Sequence, residues 1–206
     1  MSMSANEFDT DNLTAAAPED DIFADPRPAP EEDTGLDPDL LAAVEIQTEP
    51  AEGRQRRLSA KLFVPYSPEQ LWQILTAYES LADFIPNLAS SRLVPHPEGG
   101  IRLEQVGTQR LMRLNFSARV VLDMTEEYPH AIRFNLVEGD FKGFSGAWLL
   151  DPHTGPDQQA GTLLGYKLLV WPKRTMPIAI IEPRIRRDLA INLVSIYQQA
   201  QKVFQG

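Results

Sequence analysis

The sequence contains no cysteine among its 206 residues. Disulfides, thiolate metal sites and cysteine nucleophiles are therefore excluded. It also contains no apolar run near the ~20 residues that a membrane-spanning helix requires. The first residues have neither the basic region nor the apolar core of a secretory signal. We expect a soluble chain whose simplest location is the cytoplasm.

Residues that carry out catalysis are also scarce. The three histidines, His96, His130 and His153, each adjoin a proline, which is typical of surface turns. No two of them share a metal-ligand spacing with a carboxylate on one element. The sequence has no Gly-x-Ser-x-Gly elbow and no phosphate-binding loop. We therefore predict no catalytic residue, no metal site and no cofactor.

The net charge of −10 is unevenly distributed along the chain. Residues 1–53 carry 15 acidic residues and one basic residue, whereas residues 54–206 carry 18 basic and 14 acidic residues. The first segment is polar and rich in proline, which predicts an acidic disordered tail over residues 1–53. Within it, residues 36–44 could form a docking motif or a transient helical turn. Residues 54–206 are predicted to form one domain, too weakly basic for nucleic acid to be an expected partner.

Local patterns predict the elements of that domain. Apolar residues recur every three or four positions from Ile185 to Phe204, which predicts a long amphipathic helix with Pro183 in its first turn. A capping box at residues 67–70 starts a short helix, and a second follows near residues 79–84. Six further strands, joined by tight turns, precede the last helix. We predict an α+β fold in which a curved antiparallel sheet wraps around a long C-terminal helix, with two short helices after the first strand.

Three motifs carry a resemblance to a known family. They are Tyr78-(x5)-Phe84-Ile85-Pro86, Gly139-Asp140-Phe141-(x4)-Gly146-Ala147-Trp148, and Asn192-Leu193. With the order of elements, they make residues 57–204 similar to the START-like (SRPBCC) helix-grip superfamily, and within it to the polyketide cyclase/dehydrase or coenzyme Q-binding branch. The resemblance implies a helix-grip fold with an internal cavity. It also implies a hydrophobic ligand, an isoprenoid quinone or a related lipid.

Large side chains on the predicted inward faces are candidates for lining that cavity, although they would fill a core equally well. They are Phe84, Phe116, Phe134, Phe144, Trp148, Tyr166, Ile185 and Leu189. Glu182 and Arg186 lie one helical turn apart, so they either anchor a ligand head group at the cavity mouth or form an ordinary i,i+4 ion pair.

The assigned inward positions are almost entirely apolar, and this bears on whether the domain binds a ligand or catalyses a reaction. Cyclisation needs polar groups that direct enolates and proton transfers. An apolar lining therefore favours non-catalytic binding or carriage over an aromatase/cyclase-type enzyme acting on a polyketide-like substrate. A protein-interaction module that uses the same fold is the third alternative.

Two stretches combine basic and apolar residues without strict alternation. One contains Arg110, Leu111, Met112 and Arg113, and the other contains Trp171, Lys173, Arg174 and Met176. On one rim of the cavity, their cations would meet anionic head groups while the apolar side chains enter the interface. The sequence therefore predicts peripheral membrane contact through this rim.

Overall fold

The computed structural model describes residues 34–111 and 114–205, without the side chains of residues 109–111, 114–116, 157 and 180. Its strands form one antiparallel sheet in the order β1-β2-β8-β7-β6-β5-β4-β3. The elements are α1 (Pro38–Ala42), β1 (Glu45–Pro50), β2 (Arg56–Val64), α2 (Pro68–Thr76), a 3₁₀ helix (Tyr78–Asp83), β3 (Leu88–Val94), β4 (Ile101–Leu111), β5 (Leu114–Glu127), β6 (Ala131–Gly139), β7 (Gly143–Thr154), a short 3₁₀ turn (Pro156–Gln158), β8 (Ala160–Trp171) and α3 (Ile178–Phe204). The predicted sheet around a long C-terminal helix is confirmed.

The start of α2 follows the predicted capping box. The Ser67 hydroxyl accepts a hydrogen bond from the Gln70 backbone N–H at 3.3 Å. The Gln70 side chain accepts one from the Ser67 N–H at 2.9 Å. Two donors that the first helical turn leaves without partners are satisfied in this way. The side chains of Leu71, Ile74 and Leu75, on the inner face of α2, are buried.

The long helix α3 begins earlier than the sequence predicts. It starts at Ile178, so Pro183 lies inside the helix and not in its first turn. A helix can contain an internal proline at the loss of one backbone hydrogen bond. A proline therefore does not by itself mark the start of a helix. The predicted apolar face is confirmed, since Leu189, Leu193 and Ile196 are fully buried.

The predicted boundary between tail and domain at residues 53 and 54 is wrong. β1 pairs with β2 from Glu45 opposite Lys61 to Pro50 opposite Arg56. Val44 is buried, and Ile46 packs against the core. Glu45 and Glu49, two of the acidic residues of the predicted tail, occupy exposed positions of this edge strand, where charge is common. The disorder predicted for residues 1–33 concerns a segment outside the described residues.

A ladder of charged side chains crosses four neighbouring strands on the sheet face turned away from α3. Glu104 accepts hydrogen bonds from Arg92 at 2.6 Å and from Arg119 at 2.7 Å. Arg119 also bonds Glu138 at 2.6 Å. The hydrogen bond from Arg119 is the largest cause that lowers the pKa of the Glu104 carboxyl, and the hydrogen bond from Arg92 is the second. Glu104 is 7% exposed, so its two partners shield it from water.

Removing residues 1–50 should destabilise the protein, in contrast to removing residues 1–33. The longer deletion removes α1 and β1, and with them the apolar contacts that Val44 and Ile46 make with the core. Full burial of such a side chain is worth ~1.5–3 kcal/mol. We expect a loss of at least about 2 kcal/mol in urea denaturation for the longer deletion. The shorter deletion should stay within ~1 kcal/mol. Equal stabilities of the two truncated proteins would contradict a structural role for β1.

Glu104→Gln should destabilise the protein at pH 7 and have little effect in acid. A lowered folded pKa means that the carboxylate stabilises the fold above its unfolded pKa of ~4.3, and that this contribution disappears as the pH falls through the folded pKa. The difference in unfolding free energy between wild type and variant should therefore shrink between pH 5 and pH 3. Glu98→Gln, at an exposed turn, is the matched control. A difference that is constant across this range would exclude the ion-pair explanation.

Candidate ligand-binding cavity

A cavity of about 240 Å³ lies between the sheet and the N-terminal half of α3. Its walls come from α2, the first 3₁₀ helix, strands β3, β4, β5, β7 and β8, and α3. It is larger than the ~150 Å³ apolar cavity that holds benzene. It is smaller than the ~300–1,000 Å³ sites of drug-sized ligands. The space therefore fits a ring-sized group and not a long chain.

Five of the eight predicted cavity residues line this space: Phe144, Trp148, Tyr166, Ile185 and Leu189. Phe134 lies behind them, with its ring centroid 5.6 Å from Phe144 and 6.0 Å from Tyr166. Phe84 packs against the core without lining the cavity. The side chain of Phe116 lies outside the described residues.

The side of the cavity formed by β7 and β8 is aromatic. Trp148 and Tyr166 are register partners on the two strands, and their rings stack at 4.1 Å with planes 2° apart. Phe144 continues the surface and contacts Phe141 at 5.4 Å. Gly146 allows the close approach of the strands, since a Cβ there would overlap the carbonyl oxygen of Lys167. Phe144, Trp148 and Tyr166 thus form an aromatic wall of the cavity.

The opposite side of the cavity contains polar residues beside apolar ones, whereas the predicted lining was almost entirely apolar. The polar residues come from the β3–β4 end of the sheet and from α3: Asn87, Gln105, Thr108, Arg184, Asp188 and Asn192. Charged residues such as Arg184 and Asp188 are expected on the outer face of an amphipathic helix. Their spacing of four residues, continued at 192, places them in a stripe beside Ile181, Ile185 and Leu189. That spacing is the signal that could have identified them.

Asp188 bonds to Asn87 on the polar side of the cavity and affects the pKa of Tyr166 on the aromatic side. Its Oδ1 accepts a hydrogen bond of 2.7 Å from Nδ2 of Asn87, the residue before β3. Burial raises the pKa of the Tyr166 phenol, and the negative charge of Asp188 raises it further. Tyr166 therefore stays protonated at neutral pH. It can form hydrogen bonds to a ligand, but it cannot act as a base.

The predicted cavity mouth is not formed. Glu182 pairs with Arg56 of β2, with 2.7 Å between Nε and Oε2. Arg186 is exposed, and neither residue of the predicted pair lines the cavity. Because α3 begins at Ile178, Glu182 belongs to the second turn and meets the start of β2. The predicted anchor and the alternative i,i+4 pair are therefore both wrong.

The predicted membrane rim is only partly described. Met176 is buried and lines the cavity, so its predicted place in a membrane interface is wrong. Trp171 is 40% exposed, with the Lys142 ammonium 5.4 Å from its ring centroid. Arg174 is exposed, while Nζ of Lys173 donates a 3.0 Å hydrogen bond to the Gly139 carbonyl. The side chains of Arg110, Leu111, Met112 and Arg113 lie outside the described residues. Membrane contact therefore stays a prediction.

No helix within residues 34–111 and 114–205 is both long and apolar enough to cross a membrane. Among the same residues, no cluster of three or more histidine, aspartate or glutamate side chains is placed to hold a metal ion.

Comparison with known proteins identifies the family. A family model described as "Polyketide cyclase / dehydrase and lipid transport" matches residues 64–194. The chain belongs to this family. Among curated proteins, the ribosome association toxin RatA of Escherichia coli K12 is 25% identical over 151 residues, which cover 73% of this chain and 90% of RatA.

Solved structures show the same fold at low identity. A STAR-related lipid transfer protein from Xanthomonas axonopodis is 13% identical with a TM-score of 0.60, covering 77% of this chain and 94% of that one. The Zhui aromatase/cyclase of a Streptomyces species is also 13% identical, with a TM-score of 0.54 and coverage of 74% and 98%. The predicted START-like helix-grip fold is thereby confirmed.

Proposed function

We propose that the chain binds a hydrophobic small molecule in the cavity between the sheet and α3. The observation that carries this proposal is the aromatic wall formed by Phe144, Trp148 and Tyr166, which lines the same cavity as the apolar stripe of α3. Membership of a family described by both cyclase chemistry and lipid transport supports the same kind of ligand.

The ligand that we propose is an isoprenoid quinone or a related lipid. A ring would pack against the Trp148 and Tyr166 side chains, since aromatic rings favour offset-stacked or edge-to-face contact. The volume of about 240 Å³ leaves no room for a long chain, so an isoprenoid tail would extend beyond the cavity. Head and tail of the ligand would then have different surroundings.

Catalysis in the same cavity is a second candidate. The observation that favours it is that Arg184 and Asp188 line the cavity together with Tyr166. Of these, Asp188 is the group that could accept a proton from a substrate, because Tyr166 is held protonated. Binding takes precedence because every cyclase-type reaction would require it, and because the aromatic wall needs no reaction to explain it.

Ala118→Phe should abolish ligand binding by filling the cavity. Ala118 lines the cavity on β5, so a phenyl ring there would occupy the ligand's space. A quinone with one or two isoprene units should quench tryptophan fluorescence saturably in the wild type, because Trp148 lines the cavity. The variant should lose the saturable component.

Ser117→Phe is the matched control for this experiment. Ser117 precedes Ala118 on β5 and is exposed, so the same ring would point into solvent. Overpacking costs typically ~1–3 kcal/mol, and thermal melts should show that both variants fold. Quenching that is linear in quinone for the wild type, or saturable quenching retained in Ala118→Phe, would contradict the proposal.

A macromolecular partner is the remaining candidate, favoured by the likeness to a protein named for ribosome association. If this likeness extends to function, the full chain should co-sediment with ribosomes through a sucrose cushion. The Ala118→Phe variant should co-sediment equally well, because the substitution leaves the outer surface unchanged. Failure of the wild type to co-sediment at low salt would exclude this candidate.

A further inference from the structure

Polar side chains join the apolar lining of the cavity toward one end of the sheet. At the β8–β7 end the cavity is lined by Tyr166 and Trp148, and in its middle by Ala118. At the β4–β3 end Thr108 and Asn87 accompany apolar residues such as Leu88. The facing helix carries a polar stripe beside an apolar one, so a ligand that satisfies both has an apolar ring and one polar end.

The polar end has an acceptor in a fixed position. The Asp188 carboxylate is half-buried on α3 and receives the Asn87 side-chain N–H at 2.7 Å. Asn87 is itself fixed, because its carbonyl oxygen accepts the Thr108 N–H at 3.0 Å. An ionised carboxylate has about four acceptor positions and no donor. It therefore retains the capacity to accept a hydrogen bond from a ligand.

The charge of this wall limits the kind of ligand. Arg184 lines the same cavity one helical turn before Asp188, so the two formal charges cancel. A guanidinium only donates hydrogen bonds, whereas a carboxylate only accepts them. A neutral hydroxyl group can donate to the carboxylate and accept from the guanidinium. A ketone or quinone carbonyl can only accept, so it can bond to the guanidinium but not to the carboxylate.

We propose that Asp188, positioned by Asn87, is a specificity-determining residue that accepts a hydrogen bond from a hydroxyl group at the polar end of a ring-shaped ligand. This inference rests on the proposed function and narrows it, since it assigns the site to hydroxylated rings in preference to rings that carry only acceptors. For a quinone-type ligand, the bound form would be the reduced, hydroxyl-bearing one. Thr108 and Asn192 line the same wall and can either donate or accept, so they do not discriminate.

The test compares two small probes on the full chain. 2-Naphthol carries the hydroxyl group, and 2-methylnaphthalene has nearly the same size without a donor. Isothermal titration calorimetry should give a wild-type affinity for 2-naphthol at least about tenfold higher, as expected for a hydrogen bond to a charged acceptor. Asp188→Leu should bring the two affinities close together, mainly by weakening 2-naphthol.

Further variants keep the test decisive if Asp188→Leu does not fold. Asp188→Asn keeps the side-chain shape and removes the charge, so it should reduce the preference for 2-naphthol by a smaller factor. Asn87→Ala removes the group that orients the carboxylate and should also reduce it. Asp83→Asn makes the same chemical change at an exposed position of the first 3₁₀ helix and should leave both affinities unchanged.

The outcomes separate this inference from the function on which it rests. Saturable binding of both probes with equal affinity would overturn the role of Asp188 and leave cavity binding intact. A preference for 2-naphthol that persists in both Asp188 variants would also overturn it. Binding of neither probe by the wild type would overturn the inference together with the proposed function.

Discussion

The packing of α3 against the sheet is the contact on which the rest of the structure depends. In the C-terminal half of the helix, Leu193, Ile196 and Ala200 are fully buried. Burial of each large side chain of this kind contributes ~1.5–3 kcal/mol. In the N-terminal half, Ile181 and Ile185 belong to the same apolar stripe but are only half-buried. The cavity is the space that remains where helix and sheet do not close.

Polar contacts hold the half of α3 that lacks complete packing. Arg56 pairs with Glu182, and Asn87 bonds Asp188. Nη2 of Arg54 donates to the carbonyl oxygens of Met176 at 2.6 Å and Lys173 at 3.2 Å, just before the helix begins. Because these bonds act at the edges of the cavity, they hold the helix without filling the space beneath it. Polar contacts therefore hold the N-terminal half of α3 over the cavity, whereas apolar burial holds the C-terminal half on the sheet.

The sequence predicts the parts of this structure that follow from short-range rules. The capping box at Ser67 and the three- and four-residue spacing of α3 depend on neighbouring residues, and both are found where they were predicted. The start of α3 was misplaced because Pro183 is compatible with a first turn and is also tolerated inside a helix. β1 was missed because an edge strand with charged outward positions has the composition of a tail.

The site is less predictable because it depends on contacts between distant segments. Phe144, Trp148 and Tyr166 could be proposed from alternation along their strands and from the family resemblance. The polar wall could not, because a charged residue such as Asp188 is assigned to solvent until a partner such as Asn87 is seen beside it. Residues 87 and 188 lie far apart in the chain, and no local pattern connects them. The same limit explains why Glu182 was paired with Arg186 instead of Arg56.

The central claim is that the space between α3 and the sheet holds a hydrophobic small molecule, and native mass spectrometry of the purified full chain tests it most directly. The account predicts a population heavier than the polypeptide by one defined mass, which solvent extraction recovers as an apolar, ring-containing compound. Purified in parallel, Ala118→Phe should lack this mass while Ser117→Phe retains it. The account would be contradicted by a bound compound present equally in Ala118→Phe, or by a wild-type chain that stays ligand-free after incubation with a cell lipid extract.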